Sequence, residues 1–272
     1  MTPTMNRPAT GALLLALAVA GCSGYEQNAV QSIAGPPTGA FIRFANFSVS
    51  SPGVNFYANS SKVTAVGTTL CSPPPTVPNP ACASTGLEST TGTAAGAFAT
   101  SSTGLYSSIA PGTYALSGRI AAATDKDLQI STVSTTIAAG KYYTFYQSGI
   151  YDATGKKADA FIVEDAIPTA FDYTQAYVRF VNAVSNSQSS ILYAKNQTTT
   201  TETAVGAAID YKNGGAFIAL PAGLYDLNTR ASNSTTNIIS RTAVTFSAGR
   251  VYTVTSRAAT ATTFALDNTA NR

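Results

Sequence analysis

Apolar and polar residues alternate along this chain in short runs, and the runs occur twice. Ala40-Phe41-Ile42-Arg43-Phe44-Ala45-Asn46 returns as Ala176-Tyr177-Val178-Arg179-Phe180-Val181-Asn182, 136 residues later. Ile42 and Phe44, like Val178 and Phe180, fall on one face of a two-residue period, the period of a β-strand. Phe41, Arg43 and Ala45 fall on the other, as do Tyr177, Arg179 and Val181. Phe56-Tyr57-Ala58 answers to Leu192-Tyr193-Ala194 at the same spacing. Pro111-Gly112-Thr113-Tyr114-Ala115-Leu116 answers to Ala222-Gly223-Leu224-Tyr225-Asp226-Leu227 at 111, and Ala139-Gly140-Lys141-Tyr142-Tyr143-Thr144 to Ala248-Gly249-Arg250-Val251-Tyr252-Thr253 at 109. Anchors in one order mark a duplication. The fall from 136 to 111 places 25 extra residues between the first anchors of the first copy.

Further runs rich in β-branched and aromatic residues predict strands at 54–57, 113–120, 129–137, 142–148 and 160–164. In the second copy they predict strands at 190–193, 217–220, 225–231, 238–246, 251–258 and 262–266. Gly, Pro and Asn punctuate them, and no stretch beyond the first residues has a helical period. The expected fold is all-β: two tandem immunoglobulin-like β-sandwich domains at 40–168 and 176–268, joined by a linker at 169–175. Glycine supplies the positive φ of the Pro/Ala-Gly-x-Tyr and Ala-Gly-Lys/Arg-x-Tyr turns. Tyr114, Tyr225, Tyr143 and Tyr252 then read as corner tyrosines, with carbohydrate stacking as the alternative. Arg43 and Arg179 recur in register. They read as outer-face or strand-edge residues, with a paired active-site role as the alternative.

Residues 1–21 carry one basic residue, Arg7, then an apolar run from Ala12 to Ala20 and a small residue, Gly21. That is the form of a secretory signal, and the run is shorter than the roughly 20 apolar residues a membrane span needs. Val19-Ala20-Gly21-Cys22 is similar to a bacterial lipobox, which makes Cys22 the lipidated N-terminus of the mature chain. Acyl chains then hold the protein to a membrane, each buried CH₂ worth about 0.8 kcal/mol. Ser23 in place of aspartate directs the anchor toward an outer membrane. Residues 22–39, polar and ending Gly35-Pro36-Pro37-Thr38-Gly39, read as a tether.

Composition narrows the function. Charged residues make up 11% of the chain, against roughly 25% in an average soluble domain. A net charge of +3 without any basic run gives nucleic acid nothing to bind. The chain has no histidine, so Ser-His-Asp triads, Cys-His pairs and His-ligated zinc are excluded. Asp125, Asp127, Glu164 and Asp165 form the only local acidic pairs. The extra residues of copy one fall within 67–100 and hold Cys71 and Cys82 around a proline-rich segment. In an exported chain these two form a disulfide that stiffens a short loop.

The repeated unit resembles the bacterial domain-of-unknown-function family numbered 4397, which occurs in exported and lipid-anchored proteins, often in tandem. Ala40, Ile42 and Arg43, with Ala176, Val178 and Arg179, match its opening signature, and Val54-Asn55-Phe56-Tyr57 matches its Val-Asp-Val-Tyr element. Leu220-Pro221-Ala222-Gly223-Leu224-Tyr225 and the two Ala-Gly-x-x-Tyr-Thr segments match its later signatures. Asn46 and Asn182 stand where the family often has histidine. The resemblance implies a β-sandwich and a cell-envelope location. The sequence therefore points to a non-enzymatic envelope lipoprotein that presents tandem sandwiches to an envelope protein or polysaccharide. It implies no cofactor, no metal and no catalytic residue. The alternatives are a carbohydrate-active accessory enzyme using the four carboxylates, and a periplasmic structural component of an envelope complex.

Overall fold

The computed structural model describes residues 39–64, 66–67, 87–88, 91–99, 106–185 and 187–271, and the fold is all-β. Copy one supplies β1 (Ala40–Asn46), β2 (Val54–Ala58), β3 (Ser61–Lys62), β4 (Val66–Gly67), β5 (Leu87–Glu88) and β6 (Ala97–Phe98). It continues with β7 (Ser107–Ile109), β8 (Gly112–Ile120), β9 (Gln129–Ile137), β10 (Tyr142–Asp152) and β11 (Lys157–Glu164). Copy two supplies β12 (Gln175–Ala183), β13 (Ser190–Asn196), β14 (Glu202–Ala204), β15 (Asn213–Gly214) and β16 (Ile218–Pro221). Its last strands are β17 (Gly223–Ala231), β18 (Ile239–Phe246), β19 (Val251–Ala258) and β20 (Phe264–Ala270). Most expected strands appear within a few residues of their expected bounds. Gln175, expected in the linker, opens β12.

Each copy is built on a pair of sheets, and copy one adds the two-stranded β4-β5. In copy one the orders are β11-β10-β1-β6, with β7 also on β1, and β3-β2-β8-β9. Copy two repeats them as β15-β12-β19-β20, with β16 on β12, and β14-β13-β17-β18. The opening strand of each copy runs parallel to a late one: β1 pairs β10, Arg43 opposite Thr144, and β12 pairs β19, Arg179 opposite Thr253. Between the sheets of copy one lie Ile42, Phe44, Phe56, Leu116 and Phe145, with Phe44 and Phe56 stacked at 5.0 Å. Copy two buries Val178, Phe180, Leu192, Leu227, Phe246 and Val254 in the same place. Each such side chain contributes about 1.5–3 kcal/mol by leaving water.

A third apolar cluster belongs to both copies. Ala45, Phe47, Tyr146 and Phe161 of copy one pack with Val181 and Ala183 of copy two. This explains why β1 and β12 are buried on both faces: one face looks into its own sandwich, the other across the seam. From Gly39 onward the described chain is one compact unit.

The turns before the tyrosines follow two geometries. Gly140 and Gly249 have φ of 70° and 69°, the left-handed region that favours glycine. Gly223 does not have a positive φ, contrary to expectation. A Cβ there would lie 3.1 Å from Asn196 Nδ2, so close approach is what its missing side chain provides. Tyr114 and Tyr225 donate their hydroxyls to the carbonyls of Ala110 and Pro221, at 2.8 and 2.7 Å. Tyr143 and Tyr252 accept from the backbone N–H of Ala138 and Ser247. All four tie a strand to the turn before it, as corner tyrosines do.

Candidate functional site

Two places gather polar side chains inside this β structure: the seam between the copies and the open end of copy two. At the seam, Arg43 and Arg179 are 2% and 1% exposed. This corrects the outer-face reading, because the face of β1 and β12 that alternation leaves over is covered by the other copy. Both guanidinium groups use Nε in the same way, donating to Thr144 Oγ1 at 2.8 Å and to Thr253 Oγ1 at 3.0 Å. Each also lies over an aromatic ring at equivalent positions, Arg43 over Tyr106 at 4.8 Å and Arg179 over Phe217 at 4.9 Å.

The acidic side is asymmetric. Asp165 follows β11 and is 1% exposed. Its Oδ1 pairs with Arg179, and its Oδ2 accepts from Thr144 Oγ1 at 2.5 Å and Tyr106 Oη at 2.6 Å. Arg43 Nε lies 3.8 Å from the same Oδ2. The position equivalent to Asp165 in copy two is Asn271, which accepts from Thr253 Oγ1 at 2.8 Å and donates to Tyr106 Oη at 2.8 Å. One buried carboxylate therefore serves two buried guanidinium groups. Neither terminal nitrogen of Arg43 has a hydrogen-bond partner among the described residues. Burial pushes the Tyr106 phenol well above its ordinary pKa, against the opposing charge of Arg43. The carboxylate of the cluster takes up hydrogen bonds from three directions, from Arg179, Thr144 and Tyr106.

The other acidic residues singled out by the sequence are likewise engaged. Asp125 pairs with Lys156, Asp127 accepts from Tyr57 Oη at 2.6 Å, and Glu164 meets Lys141 at 2.8 Å. Of these four carboxylates the structure brings only Asp165 into the arginine cluster. Cys22, Cys71 and Cys82 lie outside the described residues. On either side of Cys71 and Cys82 in the sequence, β4 and β5 pair, Val66 opposite Glu88 and Gly67 opposite Leu87.

The second place is a cavity of about 180 Å³ at the end of copy two where β12 turns into β13. Asn182 on β12, Thr229 on β17, Ile239 on β18, Ser256 on β19 and Phe264 on β20 line it, together with Val184, Ser185, Ser187 and Gln188. Among the described residues, none that lines it is charged. Ser256 Oγ donates to Asn182 Oδ1 at 3.2 Å, and Asn182 Nδ2 donates to Ile209 O at 3.1 Å. Thr229, 1% exposed, keeps its hydroxyl without a partner among the described residues. Ile238 and Phe264 stand at the rim, 48% and 40% exposed.

Copy one fills the same place with itself. Strand register puts Gln147 opposite Asn46, as Ser256 is opposite Asn182. It puts Gly118 opposite Ser131, as Thr229 is opposite Ile239. The Gln147 carboxamide donates to Asn46 Oδ1 and Ser51 Oγ, both at 2.9 Å, and accepts from Ser131 Oγ at 2.7 Å. Gly118 makes the room: a Cβ there would fall 2.2 Å from Gln147 Oε1.

Sequence reasoning missed Tyr106, Asn271 and this cavity. The pairing of each arginine with a threonine was within reach, since Thr144 and Thr253 close the repeated Ala-Gly-x-x-Tyr-Thr segments. Comparison with known protein families gives none that matches the chain, and comparison with curated proteins gives no match either.

Proposed function

We propose that this is a lipid-anchored, non-enzymatic protein of the cell envelope that holds a stiff pair of β-sandwiches off a membrane and presents their ends to an envelope polysaccharide or protein. The observation that carries this reading is the engagement of the carboxylates. Asp125, Asp127, Glu164 and Asp165 each serve a structural pair or hydrogen bond, which leaves the fold's ends as its working surfaces. The lipobox-like Val19-Ala20-Gly21-Cys22 and the tether after it supply the anchor. Ser23 supports an outer-membrane position. The likeness of the repeated signatures to family 4397 supports both the envelope location and division at the 169–175 segment. A disulfide between Cys71 and Cys82 belongs to the same proposal.

Cell fractionation tests it. Wild-type chain is expected in the membrane fraction and Cys22→Ala in the soluble fraction. A Cys22→Ala protein that stays with the membrane overturns the anchor. Protease shaving of intact cells then separates the two faces. Released peptides from 83–102 mark outward presentation, and digestion only after the outer membrane is opened marks a structural role in the periplasm.

A further inference from the structure

The cavity of copy two has a chemical description, because copy one contains its occupant. At the equivalent place the Gln147 carboxamide is held at both ends, N–H to Asn46 Oδ1 and C=O from Ser131 Oγ. Copy two keeps the asparagine, shortens the glutamine to Ser256 and leaves Thr229 Oγ1 buried without a partner among the described residues. A buried hydroxyl left unpaired is costly until something enters to meet it.

We infer that this cavity binds an acetamido sugar, the N-acetylhexosamine end-group of a saccharide. The inference rests on the envelope reading above, which places the protein among polysaccharides. The amide N–H of the ligand meets Ser256 Oγ, whose own proton goes to Asn182 Oδ1. The ligand's carbonyl takes the proton of Thr229 Oγ1. The acetyl methyl lies against Val184 and Ile239, and the C–H face of the sugar ring lies against the exposed ring of Phe264. Sugar hydroxyls meet Ser185, Ser187 and Gln188 at the rim. The uncharged lining selects a neutral sugar, since an ammonium or carboxylate entering here would lose its hydration with no counter-charge. A volume of about 180 Å³ suits one end-group and excludes a longer buried chain.

The test is an NMR titration of isotope-labelled full-length chain in detergent. The probes are N-acetylglucosamine, N-acetylgalactosamine, glucose and the peptide mimic N-acetylglycinamide. Saturable shifts of the Ser256 and Thr229 amides are expected with at least one acetamido sugar, and binding of glucose at least tenfold weaker. The double variant Ser256→Gln/Thr229→Gly, which also supplies the room that Gly118 gives Gln147, installs the occupant of copy one and is expected to abolish binding without lowering the melting temperature. Thr229→Val, which keeps the shape, is expected to weaken it several-fold. No saturable shift with either acetamido sugar overturns the inference, as does equal affinity for glucose. So do unchanged binding by both variants and preference for N-acetylglycinamide, which marks a peptide site. The result is independent of the Cys22→Ala fractionation, so the pocket and the anchor stand or fall separately.

Discussion

The two copies share a strand plan and differ at the polar positions inside it. Copy one closes its end with Gln147, Gly118 and Ser131 in one hydrogen-bonded plug, while copy two has Ser256, Thr229 and Ile239 at the same register and stays open. At the seam copy one contributes the carboxylate Asp165 and the phenol Tyr106, where copy two has Asn271 and Phe217. Copy two thus relies on copy one to neutralise Arg179, and copy one fills the place that copy two leaves open. Duplication preserved the backbone and the corner tyrosines. Division of labour arose in the few side chains that fill the interior.

Replacing a residue of copy one by its counterpart in copy two is the direct way to break this comparison. Asp165→Asn has the largest expected effect, because it leaves two buried guanidinium groups with no carboxylate. A loss of about 3–5 kcal/mol is expected in urea or thermal unfolding of the full chain. A loss below about 1 kcal/mol would show that the seam does not depend on this charge. Gly118→Thr comes next. Its Cβ would meet Gln147 Oε1 at 2.2 Å and Ser131 Oγ at 2.8 Å, an overpacking expected to cost about 1–3 kcal/mol. The reverse change, Thr229→Gly, removes an unpartnered hydroxyl but adds strand flexibility, and is expected within about 1 kcal/mol of wild type. Equal costs for the two would mean the ends are not packed differently.

Tyr106→Phe is the smallest change and the one that sharpens the seam through pH. At neutral pH it removes hydrogen bonds to Asp165 and from Asn271, for about 1 kcal/mol. Above about pH 10 this advantage of the wild type shrinks. The folded phenol, its pKa raised by burial, keeps its proton while the unfolded one loses it, so wild-type stability is full below the unfolded pKa of 10.0 and falls as pH rises. The slope is about 1.4 kcal/mol per pH unit for one tyrosine. The variant is expected to lose stability less steeply between pH 10 and 11, and parallel curves would contradict the burial of this hydroxyl.

The longer strands and the duplication were legible because period-two alternation and repeated turn segments are local features. Ile42 and Phe44 announced the inner face of β1 without help from the rest of the chain. Arg43 did not announce the seam, since alternation states which residues share a face and nothing about what covers it. Asp165 and Asn271 lie beyond the last repeated segment, so no motif linked them. The plug that copy one has and copy two lacks depends on the pairing of Gln147 with Asn46 across a parallel ladder, and on Gly118 making room for it. The Gln147–Asn46 contact joins residues 101 positions apart in sequence.

The parallel pairing of β1 with β10 has a mechanical meaning. The N-terminal segment enters the fold at the start of β1, so any tension carried by that segment acts along this strand. Its paired residues, Phe41 to Asn46 against Tyr142 to Gln147, form a ladder whose bonds lie across the pull. Such a ladder resists in shear, all its bonds bearing load together, whereas a hairpin pulled at its open end parts one bond at a time. The Arg43–Thr144 bond and the rings beside it clamp the same strand from the seam side. Pulled from its N-terminal end, the fold would hold until nearly the whole strand slides at once.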